Sequence, residues 1–340
     1  RDLVRSRGLG DVYKRQGNYE MTTASSWPTE GYVFNSELSV CENGGELSWD
    51  DENKRVLMSG NVSDKCYVYF DIKPQVLLAD YVKSLYTGTQ GENSIYYHDA
   101  NLTNGAGDNS YRYAGANPNN FVCFGTNTTP CPTDNLYRII GVFGNQVKLI
   151  KYDYATSALL GTDGDYKGTG TPNASYYKGE LTTINTYYWN NSTIKNTWSE
   201  SELNKTNLNT NFITNIGTEW AAKIAETTWK VGGNTWANIG TQPAKTAYQN
   251  EIVSPVTTNT TDGKTECSAK IGLMYASDYG FAAAQSAWTA NLNTYNGEAI
   301  KNVNWMYMGF YDWTISRRAD FSYLAFIVYN DGSVSYGDVY

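Results

Sequence analysis

LYRIIGVFGNQVKLIKYDY, residues 136–154, holds the clearest structural signal in the chain: two runs rich in β-branched and aromatic residues on either side of Gly144-Asn145. A Gly-Asn pair suits a two-residue primed turn, whose twist matches that of antiparallel strands, so the stretch predicts a tight β-hairpin. Strand-like runs recur upstream in GELSW, KRVLMSG and KCYVYFDI, separated by WDDEN and NVSD. They recur downstream in NWMYMGF, YLAFIVY and SVSYGDVY, the last two joined by Asn330-Asp331-Gly332. Helical spacing is shorter and scattered. Leu78, Tyr81, Val82 and Leu85 recur at threes and fours behind Pro74, and Ile213, Ile216, Trp220 and Ile224 trace one face. SAKIGLMYASDYGFAAA predicts a strand leading into a short helix capped by Ser277. The pattern is that of an α+β protein with long irregular connections.

The chain has 340 residues, with 29 Tyr and 10 Trp but only 18% charged residues. Stiff amphipathic rings on a scaffold rich in Asn, Thr and Gly suit β-rich secreted folds and recognition surfaces. The formal net charge is −8. The opening RDLVRSRGLGDVYKRQ carries five basic residues and two acids, so without that +3 the remainder stands at −11. No basic face gathers for phosphate, which argues against nucleic acid and an anionic membrane surface as partners. The opening segment matches nothing after it in composition and reads as a non-native, adapter-derived stretch, so the expected organisation has three parts. Residues 1–16 are set aside, 17–73 form a small β module, and 74–340 form a larger α+β domain, truncated at its C-terminus because the last strand-like run has no closing partner.

Five cysteines stand at 41, 66, 123, 131 and 267. Cys41 and Cys66 flank a strand-like region, and Cys123 and Cys131 close a short loop, so two local disulfides are expected in an exported protein; Cys267 is left over, either a buried thiol or paired elsewhere. No CxxC pair supports zinc. The Asn-x-Ser/Thr triplets at Asn61, Asn101 and Asn259 match chance in so Asn- and Thr-rich a chain.

The stretches LYRIIGVFGNQVKLIKYDYATSALLG, IGLMYASDYGFAA, NWMYMGFYDWTISR and AFIVYNDGSVS resemble a group of bacterial surface proteins. Their C-terminal region is similar to the formylglycine-generating-enzyme-like branch of the C-type-lectin fold. The resemblance spans residues 136–340, with CENGGELSWDDENKRVLMSGNVSDKCYVYFD a frequent upstream neighbour. It implies an irregular, loop-rich lectin-like domain on the bacterial cell surface, often tethered through a type IV prepilin-like helix upstream of the residues seen here. Trp313, Ser316 and Arg317 match the start of the family's closing pattern, while the cysteine pair of the formylglycine-generating relatives has no counterpart, which argues against that activity. Lectin-fold relatives diversify a face near the chain end. Here that face would be Arg318, Ala319, Asp320, Phe321, Ser322, Tyr323 and Leu324, the alternative being an ordinary divergent loop.

Other chemistry finds little support. His98 is the only histidine and sits in YYHDANLTNGAGDN, a context that predicts a solvated loop residue more than a general base. No nucleophile elbow and no phosphate-binding loop is present. No cofactor is expected; calcium is the residual candidate, with Asp163 and Asp165, or Asp99 and Asp108, as oxygen ligands. Within WMYMGFYDW, residues 305–313, alternation predicts a strand buried on both faces. The exposed ligand-binding candidates are Asp312, Arg317, Arg318, Asp320, Tyr323, Tyr329 and Tyr336. The favoured function is a non-catalytic adhesion module for a glycan or protein; the second is a structural, pilin-like fibre subunit, and an enzyme comes third.

Overall fold

The computed structural model describes residues 11–15, 18–22, 26–28, 31–60, 63–73, 76–172, 177–256 and 264–340. Asn61, Pro74 and Asn259 lie outside them. The chain forms two compact units, Arg1–Leu77 and Leu78–Tyr340.

In the first unit, strand β7 (Cys66–Ile72) is the organiser. It pairs in parallel with β1 (Asp11–Arg15), which pairs with β2 (Asn18–Thr22), and antiparallel with β3 (Tyr32–Phe34) and β4 (Val40–Cys41). β5 (Glu46–Asp50) and β6 (Arg55–Ser59) make a separate hairpin. Strand β1 falls inside the segment that sequence reading set aside; backbone pairing needs no particular side-chain pattern, so its mixed composition did not announce it. Alternation along β7 buries Val68 and Phe70, and Trp49, Phe34 and Trp27 ring Phe70 at centroid distances of 5.6–6.0 Å. The Cys41–Cys66 disulfide closes the unit's end, and Asp64 accepts the amides of Asn43 and Gly45 beside it.

The second unit is mixed α+β. β11 (Leu136–Phe143) and β12 (Gln146–Lys151) form the expected hairpin, and Gly144 alone of the turn pair has positive φ (61°), the signature of a type II′ turn. The other edge of β11 carries β10 (Phe121–Cys123) and β9 (Tyr111–Tyr113), with β8 (Ile95–Tyr97) beyond. The Cys123–Cys131 disulfide closes the loop after β10. Two-stranded pairs follow: β13 (Tyr166–Gly170) with β14 (Ile184–Tyr187), and β15 (Thr227–Lys230) with β17 (Glu266–Ala269). The last sheet runs β16 (Gly233–Asn234), β18 (Asp312–Arg318), β19 (Leu324–Val328), β20 (Val334–Asp338), with β16 and β18 parallel.

Helices are short. The Val82 face of Leu78–Ser84 packs on the first sheet, while Tyr81 stays exposed. The predicted Ile213–Ile224 face is broken at Gly217 (φ 85°) into two short helices, preceded by a π-helical run at Leu203–Phe212. Ile213, Ile216, Trp220 and Ile224 still reach one core. The helix Ala276–Ala282 is capped not by Ser277 but by Asp278, which accepts the Tyr275 amide at 2.9 Å; Glu251 accepts the free first-turn amides of Ala276 and Ser277, both at 3.0 Å. The segment 304–310 is also not a strand. Trp305, Met306 and Tyr307 are buried as expected, but the Asn304 side chain accepts the Met306 amide in a local turn, and Gly309 takes a left-handed φ of 80°. An apolar run shows that residues are buried; it does not show that they are extended.

Candidate functional site

β18 carries the site candidates at its two ends. At its C-terminal end the chain turns through residues 319–323 into β19. One buried side chain holds that turn: the Asn196 amide nitrogen lies 2.7, 2.8 and 2.7 Å from the carbonyl oxygens of Arg318, Phe321 and Leu324, and its backbone N–H donates to Ser322 O. Ala319 and Leu324 point inward, and Asp320, Phe321, Ser322 and Tyr323 point to solvent. Of the seven residues named as a variable face, four are therefore available to a partner directly.

Arg318 was expected to be exposed and is 6% exposed. Its guanidinium lies between the rings of Tyr336 (4.0 Å to the centroid) and Phe321 (4.8 Å) and is ion-paired with Asp320. That partner holds the Asp320 carboxyl below its usual range. Trp236, just after β16, meets Tyr336 edge-on at 5.4 Å. Phe321, Tyr323 and Tyr336 remain exposed. Planar guanidinium stacking and a carboxylate thus hold an exposed aromatic corner in place.

Arg317 does not belong to that corner. It is 1% exposed, with Nη2 donating to Lys264 O at 2.7 Å, because strand alternation turns it to the opposite face from Arg318. Tyr329 is half-buried, donates to Tyr336 O and packs edge-on against Tyr311.

Asp312 begins β18 and is half-buried, its charge felt by Tyr154 and Tyr279. Enclosure by the domain pushes its carboxyl up to about 7.

The remaining candidates serve the fold. His98 is completely buried, correcting the solvated-loop reading. Its Nδ1 accepts the Ala106 amide at 3.0 Å, its ring meets Phe281 and Trp288, and desolvation, with Arg112 nearby, holds its pKa well below 6.5. Asp108 pairs with Arg112 at 2.7 Å, and Arg112 also reaches Asp278, which takes Lys148 at 2.5 Å. Of the calcium candidates, Asp99 accepts the amides of Asn101 and Leu102, Asp165 is buried and accepts those of Asn191 and Leu203, and Asp163 accepts from Asn211. Cys267 is a half-buried thiol on β17. Among the described residues no helix is long and apolar enough to cross a membrane.

No protein family, curated protein or solved structure matches this chain.

Sequence reading named Arg318, Asp320, Tyr323 and Tyr336 among its ligand-binding candidates and Phe321 within the variable stretch, but gave no sign of Asn196 and Trp236. Asn196 is 122 residues from Arg318, and one Asn among many gives no local sign of three carbonyl partners.

Proposed function

We propose that the chain is a non-catalytic binding module of a bacterial cell surface, and that its second unit is a lectin-like domain which takes a glycan or protein ligand at the corner formed by Arg318, Asp320, Phe321, Tyr323 and Tyr336. The observation that carries this reading is the stacked Arg318 between Tyr336 and Phe321, beside exposed Tyr323, on a turn stapled by buried Asn196. Rigid aromatic rings with an adjacent ion pair give contact area at small ordering cost, and both sugar faces and protein loops use such surfaces. Two disulfides support an exported setting.

Glycan and protein arrays probed with the whole chain test the proposal. A specific ligand should be captured, and Phe321→Ala with Tyr336→Ala should abolish capture while the melting temperature stays within a few degrees. Silence on both arrays, or capture indifferent to the double substitution, would remove this corner as the binding site.

A further inference from the structure

Two cations of the second unit have no acid to pair with, in a chain whose net charge is −8. Arg138, on β11, is half-buried, and each of its guanidinium nitrogens donates once: Nε to Asn120 Oδ1 at 2.8 Å, Nη2 to Pro118 O at 3.0 Å and Nη1 to Trp305 O at 3.5 Å. Of its five N–H groups, one on each Nη nitrogen is left over. Lys178 is exposed and donates to Asn304 O at 3.4 Å. The two cations thus hold the carbonyls of consecutive residues, whose Cα atoms stand about 3.8 Å apart. Aromatic contacts close the same ring of neighbours. The Arg138 guanidinium lies 4.5 Å from the Trp305 centroid and 4.6 Å from that of Phe121; Tyr152 meets Phe121 edge-on at 5.7 Å and donates its hydroxyl to Lys178 O at 3.3 Å. Among the described residues no carboxylate is ion-paired with either cation. The acids nearest in sequence are engaged elsewhere: Glu180 accepts the Thr133 hydroxyl at 3.1 Å, and Asp153 accepts the amides of Glu180 and Leu181. Enclosure without a counter-charge holds the Arg138 guanidinium down at about 10 and lowers the Lys178 ammonium, which also feels Arg138.

We infer that Arg138 and Lys178 bind the carboxylate of an acidic sugar, with Phe121 as the ring against which the sugar lies. This site shares no residue with the Arg318 corner and stands without it. With Phe121 and Trp305 stacked on it, the guanidinium offers an incoming group its edge, and a planar carboxylate matches an edge that carries two N–H donors. Lys178 adds a second positive charge with donors to spare. Phe121 is 46% exposed and presents an apolar surface to the C–H face of a pyranose, a face that a glutamate side chain lacks. Two cations suffice for one acid group and are too few to track a nucleic-acid backbone.

The test is calorimetric titration of the whole chain at neutral pH and low salt, using trigalacturonate and its methyl ester, sialyllactose and lactose, and triglutamate. The expected result is saturable binding of at least one acidic sugar, about tenfold or more tighter than its uncharged counterpart and than triglutamate. Arg138→Lys keeps the charge but loses the fork and should weaken that sugar about tenfold. Lys178→Gln and Phe121→Ala should each weaken it several-fold, while Phe321→Ala with Tyr336→Ala should change nothing. Melting curves confirm that each variant is folded; should Arg138→Lys fail to fold, the exposed positions 178 and 121 decide the matter. No saturable heat with either acidic sugar, equal binding of the uncharged counterparts, triglutamate binding as tightly as the sugars, or unchanged affinity in both folded Lys178→Gln and Phe121→Ala would overturn the inference. Each of these results leaves the array experiment on Phe321 and Tyr336 unaffected.

Discussion

Asp312 makes the stability of the protein depend on pH in a direction that is open to measurement. Its carboxyl is raised from 3.8 to about 7 in the folded protein by enclosure alone, so the native state binds its proton more tightly than the unfolded chain does. Stability is therefore full below about pH 4 for this group and is lost as pH rises through about 7, after which the loss is constant. About three pH units at about 1.4 kcal/mol each give a ceiling near 4 kcal/mol. Because the side chain keeps some contact with water, roughly 2 kcal/mol is the expected size. Asp312→Asn keeps the shape and removes the titration. Urea unfolding of both proteins from pH 4 to pH 8 should show near-equal midpoints at the acid end and a variant more stable by roughly 2 kcal/mol above pH 7. The neighbouring phenols, Tyr154 and Tyr279, are pushed upward by burial and stay neutral throughout this window. A difference between the two proteins that stays constant across the range would refute the enclosure of Asp312.

Two further perturbations address the fold of the second unit. Asn196→Ala leaves three carbonyl oxygens without their donor; it should cost about 2–4 kcal/mol in urea unfolding and speed amide exchange across residues 319–323. Reduction of the Cys123–Cys131 bridge, or Cys123→Ser with Cys131→Ser, opens a short loop of sequence separation 8 and should lower stability by roughly 2–3 kcal/mol, with labelling by a thiol reagent confirming that both cysteines were bonded.

The β11–β12 hairpin, the Asn330–Gly332 turn and the two disulfides could be read from sequence because each depends on residues close in the chain: a Gly-led turn flanked by β-branched runs, or cysteines that a short segment brings together. The burial of residues 305–307 was legible for the same reason, since hydrophobicity is a property of the residues themselves. Their conformation was not, because a turn built on the Asn304 side chain and Gly309 uses the same apolar letters as a strand. Charged residues misled most. Arg317 and Arg318 are neighbours with the same chemistry, yet one is locked onto Lys264 O and the other stacks on Tyr336; the pleat decides which, and only pairing with β16 and β19 fixes the pleat's facing. His98, loop-like by composition, is buried because Phe281 and Trp288, more than 180 residues later, close over it. Sequence alone determined the mixed α+β class, the acidic and aromatic character and the local turns. Tertiary structure decided which polar groups face water, because that depends on partners whose distance along the chain leaves no periodic trace.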